Sequence, residues 1–147
     1  MRKHTVLTVL ALTFSLIILV QLVTTQVRAN AIATDVDIDP DTLNLKSNGK
    51  WITVYIELLG GYNVTDIDIS TVKLNGEAPA ELHPTEIGDY DEDGIQDLMV
   101  KFYRAHVILM IEHMSPHFRQ EVTLTLMGTL NDGTPFEGSD TIRVLPT

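Results

Sequence analysis

Beyond residue 34, apolar and polar residues alternate almost one by one, and a period of two admits only strands buried on one face and wet on the other. Asp35-Val36-Asp37-Ile38-Asp39 is the first instance. Pro40 ends it, Leu43-Asn44-Leu45 extends the pattern, and Ser47-Asn48-Gly49-Lys50 turns the chain. From Trp51 to Leu58, residues Ile52, Val54, Ile56 and Leu58 form the face expected in the core, with Trp51, Thr53, Tyr55 and Glu57 on the other. Gly60-Gly61 marks a loop. Asp66–Ile69 and Thr71–Leu74 resume the alternation with a kink expected near Ser70, and Asn75-Gly76 closes the segment as a tight turn. Between Glu77 and Gly88, Pro79 and Pro84 argue for an extended connection rather than a paired strand.

Leu98–Phe102 reads as a central strand, and Arg104–Met114 as the one helix, with Val107, Met110, Ile111 and Met114 at helical spacing before Ser115-Pro116 stops it. Glu121–Met127 directs Val122, Leu124 and Leu126 inward. Asn131-Asp132-Gly133 makes a hairpin turn, and Phe136–Val144 returns. Short strands at regular spacing predict a mainly β chain, an immunoglobulin-like β-sandwich carrying one short helix.

Residues 1–33 stand apart. Arg2-Lys3-His4 precedes an uncharged run of 19 residues from Thr5 to Val23, followed by small residues at Ala29, Ala31 and Ala33, the pattern of an export signal. Cleavage is expected after Ala31 or after Ala33, the second preferred. The run also reaches the roughly 18 residues a membrane span needs, so an uncleaved signal-anchor helix is the alternative. Either way the preceding basic residues keep the N-terminus inside and place the domain, residues 34–147, in a secreted or cell-surface location. Removing residues 1–33 takes Arg2, Lys3 and Arg28 but no acid, so the formal charge of −10 becomes −13. Such a charge repels nucleic acid and favours cations as partners. There is no cysteine, so the cross-links common in small exported domains have to come from elsewhere.

A metal clip is the expected substitute, and the densest acidic segment has the spacing for one. Asp89, Asp91, Asp93 and Asp97 occupy positions 1, 3, 5 and 9 of a loop with Gly94 at position 6, where a sharp bend is needed. The Ile95 carbonyl would add a fifth ligand. Hard oxygen donors in a flexible loop suit Ca²⁺ better than Mg²⁺, with an affinity on the order of 10⁻⁴ to 10⁻³ M typical of extracellular modules. The loop is not a complete EF-hand, because position 12 falls on Val100, which has no carboxylate.

With these segments in hand, the chain resembles a family of archaeal and bacterial exported β-sandwich domains, mostly uncharacterised surface proteins, that carry a DxDxDGxxD calcium loop. The segments that carry the likeness are KSNGKWITVYIEL (46–58), GYNVTDIDISTVKLNG (61–76), PTEIGDYDEDGIQDLMVKF (84–102) and GTLNDGTPFEGSDTIRV (128–144). The resemblance implies the sandwich and a bound calcium, and no reaction. Tyr103 departs from it, standing where such domains carry aspartate, as does the longer and more apolar stretch from Ile108 to Gln120.

Other constellations are weaker. A dockerin would need a second acidic loop. His106, His113 and His117 suggest zinc only weakly, since Pro116 interrupts the i, i+4 pair and surface histidines are the simpler reading. Asn63-Val64-Thr65 is a glycosylation sequon. Trp51 and Tyr55 could stack on a sugar, although packing is the commoner fate of such a pair. The expectation is a non-enzymatic, calcium-binding structural or adhesive surface module. The alternative is a carbohydrate- or protein-binding module that uses the aromatic face around Trp51.

Overall fold

The computed structural model describes residues 31–114 and 121–145. The expected signal or anchor helix lies outside these, apart from Ala31, Ile32 and Ala33, as does His117. Among the described residues no helix is long and apolar enough to cross a membrane.

Eight strands and one helix follow in order: β1 (Ile32–Asp39), β2 (Thr42–Asn44), β3 (Trp51–Leu58), β4 (Ile67–Leu74), β5 (Ala78–Gly88), β6 (Asp97–Tyr103), α1 (Arg104–Met114), β7 (Glu121–Leu130) and β8 (Pro135–Leu145). The immunoglobulin-like sandwich expected from the strand spacing does not form. Seven strands close into a barrel in the order β1-β3-β6-β5-β4-β7-β8 and back to β1, with β2 added alongside β8.

Two strands make the closure by changing partner along their length. β1 pairs with β8 at Ile32 and Ala33 and with β3 from Thr34 to Asp39. β5 pairs with β4 at Ala78 and Pro79 and with β6 from Ala80 onward. A sandwich leaves edges that a barrel removes, together with their unpaired N–H and C=O groups. At the β1–β8 seam the backbones come very close, since a Cβ on Gly138 would lie 2.3 Å from the Thr34 carbonyl oxygen. Further along, the Ile38 N–H donates to Asp140 Oδ2 at 2.9 Å, so a side chain completes the seam beyond the last backbone pair.

The segment from Glu77 to Gly88 is thus a corner strand, not the extended connection its prolines suggested. Pro79 sits where β5 changes neighbours. Pro84 falls in the interruption of the β5–β6 ladder between Glu81 and Glu86. Both are places where a missing N–H costs little.

Alternation is obeyed most cleanly in β1, where Ile32, Thr34, Val36 and Ile38 are buried and every second residue is exposed. The side chains of Ile32, Val36 and Ile38 join those of Ile52, Val54, Ile56, Val72, Leu74, Val100, Phe102, Leu124, Leu126, Phe136, Ile142 and Val144 in one core. The Asn75-Gly76 turn forms as the dipeptide demands, with both residues at positive φ and the Glu77 N–H on the Leu74 carbonyl. The kink expected near Ser70 appears as a register shift between Asp68 and Lys73.

α1 spans the predicted residues and packs Val107, Met110 and Ile111 into the core, leaving Met114 exposed. It contacts β3, β5 and β6. Arg104 at its start is buried, its guanidinium donating to the Asn44 carbonyl. α1 follows the end of β6, whereas the acidic loop precedes its beginning. The two therefore lie at opposite ends of the same strand.

Candidate metal centre

β5 and β6 are hairpin partners, and their ladder ends at the Gly88/Asp97 pair, so residues 89–96 form a closed loop. Its backbone is held by its own carboxylates. The Gly94 N–H donates to Asp89 Oδ2 at 3.0 Å, the Asp93 N–H to Asp91 Oδ1 at 3.1 Å, and the Ile95 N–H to Asp93 Oδ1 at 2.7 Å. The Tyr90 N–H donates to Asp97 Oδ2 at 2.8 Å, joining the first turn of the loop to the start of β6. Gly94 has φ +94°, in the left-handed region that glycine enters without penalty.

This wrapping brings three of the four predicted aspartates together: single carboxylate oxygens of Asp89, Asp91 and Asp97 lie within 4.8 Å of one another. Oxygens bound to one calcium, each at 2.3–2.6 Å, can be no more than about 5.2 Å apart, so this triad is compatible with a shared ion. Asp93 belongs to a second triad, with Asp91 and Glu57. Asp97 is buried, whereas Asp89, Asp91, Asp93 and Ile95 are exposed.

Glu57 is the residue that sequence reasoning missed. Alternation puts it on the wet face of β3, yet only 7 % of its surface is accessible, because the acidic loop folds over that face. Register explains its position: Glu57 lies directly opposite Asp35 of β1 on one side and Asp97 of β6 on the other, so three acids form a row across adjacent strands. The remaining outer face of β3 is covered as well. Thr53 is buried and accepts from Lys101 Nζ at 2.7 Å, and Tyr55 packs against Tyr90 at 4.6 Å between ring centroids.

The electrostatics are one-sided. Burial is the main cause holding the Glu57 carboxyl above its ordinary pKa, and Asp93, Asp97, Asp91 and Asp35 push it further in the same direction. Asp97 is also raised, again chiefly by burial, with the Tyr90 N–H opposing and Asp91, Asp89 and Asp93 reinforcing. The charges acting most strongly on both groups are carboxylates. Between the loop and the barrel wall lies a cleft of about 250 Å³, lined by Asp35, Asp37, Tyr55, Glu57, Tyr90, Asp91 and Asp97 among others. No family profile, no curated protein and no solved structure matches the chain.

The other candidates fall elsewhere. Trp51 meets Tyr103 edge-on at 5.7 Å and has Lys50 Nζ 4.4 Å from its ring centroid, while Tyr55 turns to Tyr90. The two aromatics therefore have separate partners. His106 and His113 line a second hollow with Glu77 and Met110. Among the described residues neither histidine belongs to a group able to hold a metal. Asn63 is exposed and caps a 3-10 turn at Val64–Asp66, its side chain accepting from the Thr65 N–H at 2.9 Å.

Proposed function

We propose that this protein is a calcium-stabilised β-barrel module of the cell exterior, non-enzymatic and structural or adhesive in role, in which the ion locks the β5–β6 loop against the barrel wall. The observation that carries the reading is the Asp89/Asp91/Asp97 triad, three carboxylates gathered within the span of one hard cation and surrounded by further negative charge. Water would solvate such groups if they were splayed apart. Holding them together stores repulsion that a divalent ion removes.

In this reading Asp89, Asp91, Asp93 and Asp97 bind through side chains and Ile95 through its carbonyl. Metal binding is then coupled to folding, since the unfolded chain has no such arrangement. The exterior location rests on the N-terminal basic-apolar-small pattern. Thermal unfolding in calcium and in excess chelator tests the proposal, and coincident midpoints would count against it.

A further inference from the structure

Asn63-Val64-Thr65 is the one N-x-Ser/Thr sequence in the chain, and calcium binding makes no use of it. We propose that Asn63 carries an N-linked glycan, its side-chain amide accepting a sugar chain from a lipid-linked pyrophosphate donor. This inference rests on the exterior location above, because the sequon is read in exported chains.

The loop between β3 and β4 presents these residues as an acceptor requires. Leu59, Gly60, Gly61, Tyr62 and Asn63 are exposed in succession. Gly60 and Gly61, both at φ +81°, carry the chain away from the end of β3, and a Cβ on Gly61 would meet nothing within 4 Å. A bulky modification has room here. Val64 is only 3 % exposed and pins the loop to the barrel, while Asn63 and Thr65 on either side of it are in solvent.

Hydrogen bonding leaves the reacting atom free. Asn63 Oδ1 accepts from the Thr65 N–H at 2.9 Å, and the Asn63 carbonyl accepts from the Asp66 N–H at 3.0 Å, which closes a turn over the sequon. Neither bond uses Nδ2. Among the described residues neither Asn63 Nδ2 nor Thr65 Oγ1 has a hydrogen-bond partner.

In the transfer, Nδ2 bonds to the anomeric carbon of the sugar and the bond from that carbon to the pyrophosphate oxygen breaks. The pyrophosphate leaves with the electron pair, and Nδ2 gives up one proton to the transferase. Because Val64 is packed in the folded barrel, transfer takes place on the emerging chain, and folding then leaves the glycan in water.

Peptide mass mapping of the full chain, as its own cells export it, tests the proposal. Trypsin releases Trp51–Lys73, in which Asn63 is the one asparagine. This peptide is expected to carry added sugar mass that is lost completely in Asn63→Gln and in Thr65→Ala and kept in Thr65→Ser, which restores the hydroxyl. The two Thr65 variants leave Asn63 in place, so the result does not depend on its capping bond.

An unmodified Trp51–Lys73 peptide in chains recovered outside the cells overturns the glycan and leaves the exterior location standing. Sugar that survives Asn63→Gln sits on a hydroxyl residue of the same peptide and also overturns it, as does sugar that survives Thr65→Ala. A chain found only inside the cells overturns the exterior location and the glycan together.

Discussion

Glu57 of β3 and Asp97 of β6 face each other directly in the β3–β6 ladder, both buried and both acidic. Like charges at opposed positions destabilise a sheet. At the foot of an acidic loop this pair repels across the ladder, and a cation bound there would relieve the repulsion. Several consequences of that balance can be measured.

Calcium should raise the melting temperature, and Asp91 should control the effect because it alone belongs to both carboxylate triads. At calcium about 100-fold above the dissociation constant the expected stabilisation is about 2.7 kcal/mol, roughly 10 °C for a domain of this size. Asp91→Ala should abolish the shift while leaving the melting point in chelator unchanged or higher. Differential scanning fluorimetry in both conditions reads the result.

The pH dependence should change sign with the metal. Glu57 and Asp97 have folded-state pKa values above their ordinary ones, so in chelator the folded state binds protons more tightly than the unfolded chain does. Stability in chelator should therefore rise as pH falls from neutrality through the raised values, and level off toward the ordinary carboxylate value of about 4. In calcium the same protons compete with the ion, so acidification should destabilise. Urea midpoints across this range, measured with and without calcium, should diverge toward neutral pH and converge in acid.

Barrel closure should depend on Gly138. A Cβ there meets the Thr34 carbonyl, so Gly138→Ala has to push β1 away from β8, at a cost of about 1–3 kcal/mol or more. Asp140→Ala should cost about 1–3 kcal/mol by another route, leaving the Ile38 N–H without its acceptor. Chemical denaturation measures both. A Gly138→Ala variant as stable as the parent would mean the seam is looser than this close approach requires.

The start of β1 bears on processing. Ile32 is buried and lies opposite Phe136, and the Ala33 carbonyl accepts from the Leu59 N–H at 3.1 Å. Cleavage after Ala33 removes these contacts, whereas cleavage after Ala31 keeps them. If the N-terminal segment acts as a cleaved signal, the mature chain is expected to begin at Ile32, and N-terminal sequencing that finds Thr34 first would count against it.

Local chemistry was legible in the sequence because its causes are local. Alternation placed Val36 and Ile38 in the core, Asn75-Gly76 announced its turn, helical spacing marked Arg104–Met114, and the 1, 3, 5, 9 spacing drew attention to the acidic loop. Partnership between strands was not legible. Periodicity tells a strand which face to bury but not which neighbours to take, so the change of partner in β1 and β5, and with it the barrel in place of the sandwich, came from tertiary structure. Pro79 and Pro84 misled because a proline's cost depends on whether its missing N–H faces a partner. Glu57 is the clearest case: in WITVYIEL it is one more polar residue on the wet side of a strand, and only register sets it beside Asp97 beneath a loop more than thirty residues later. Covalent neighbours determined the shape of each piece, and hydrogen-bonded register across the closed sheet decided which charges meet.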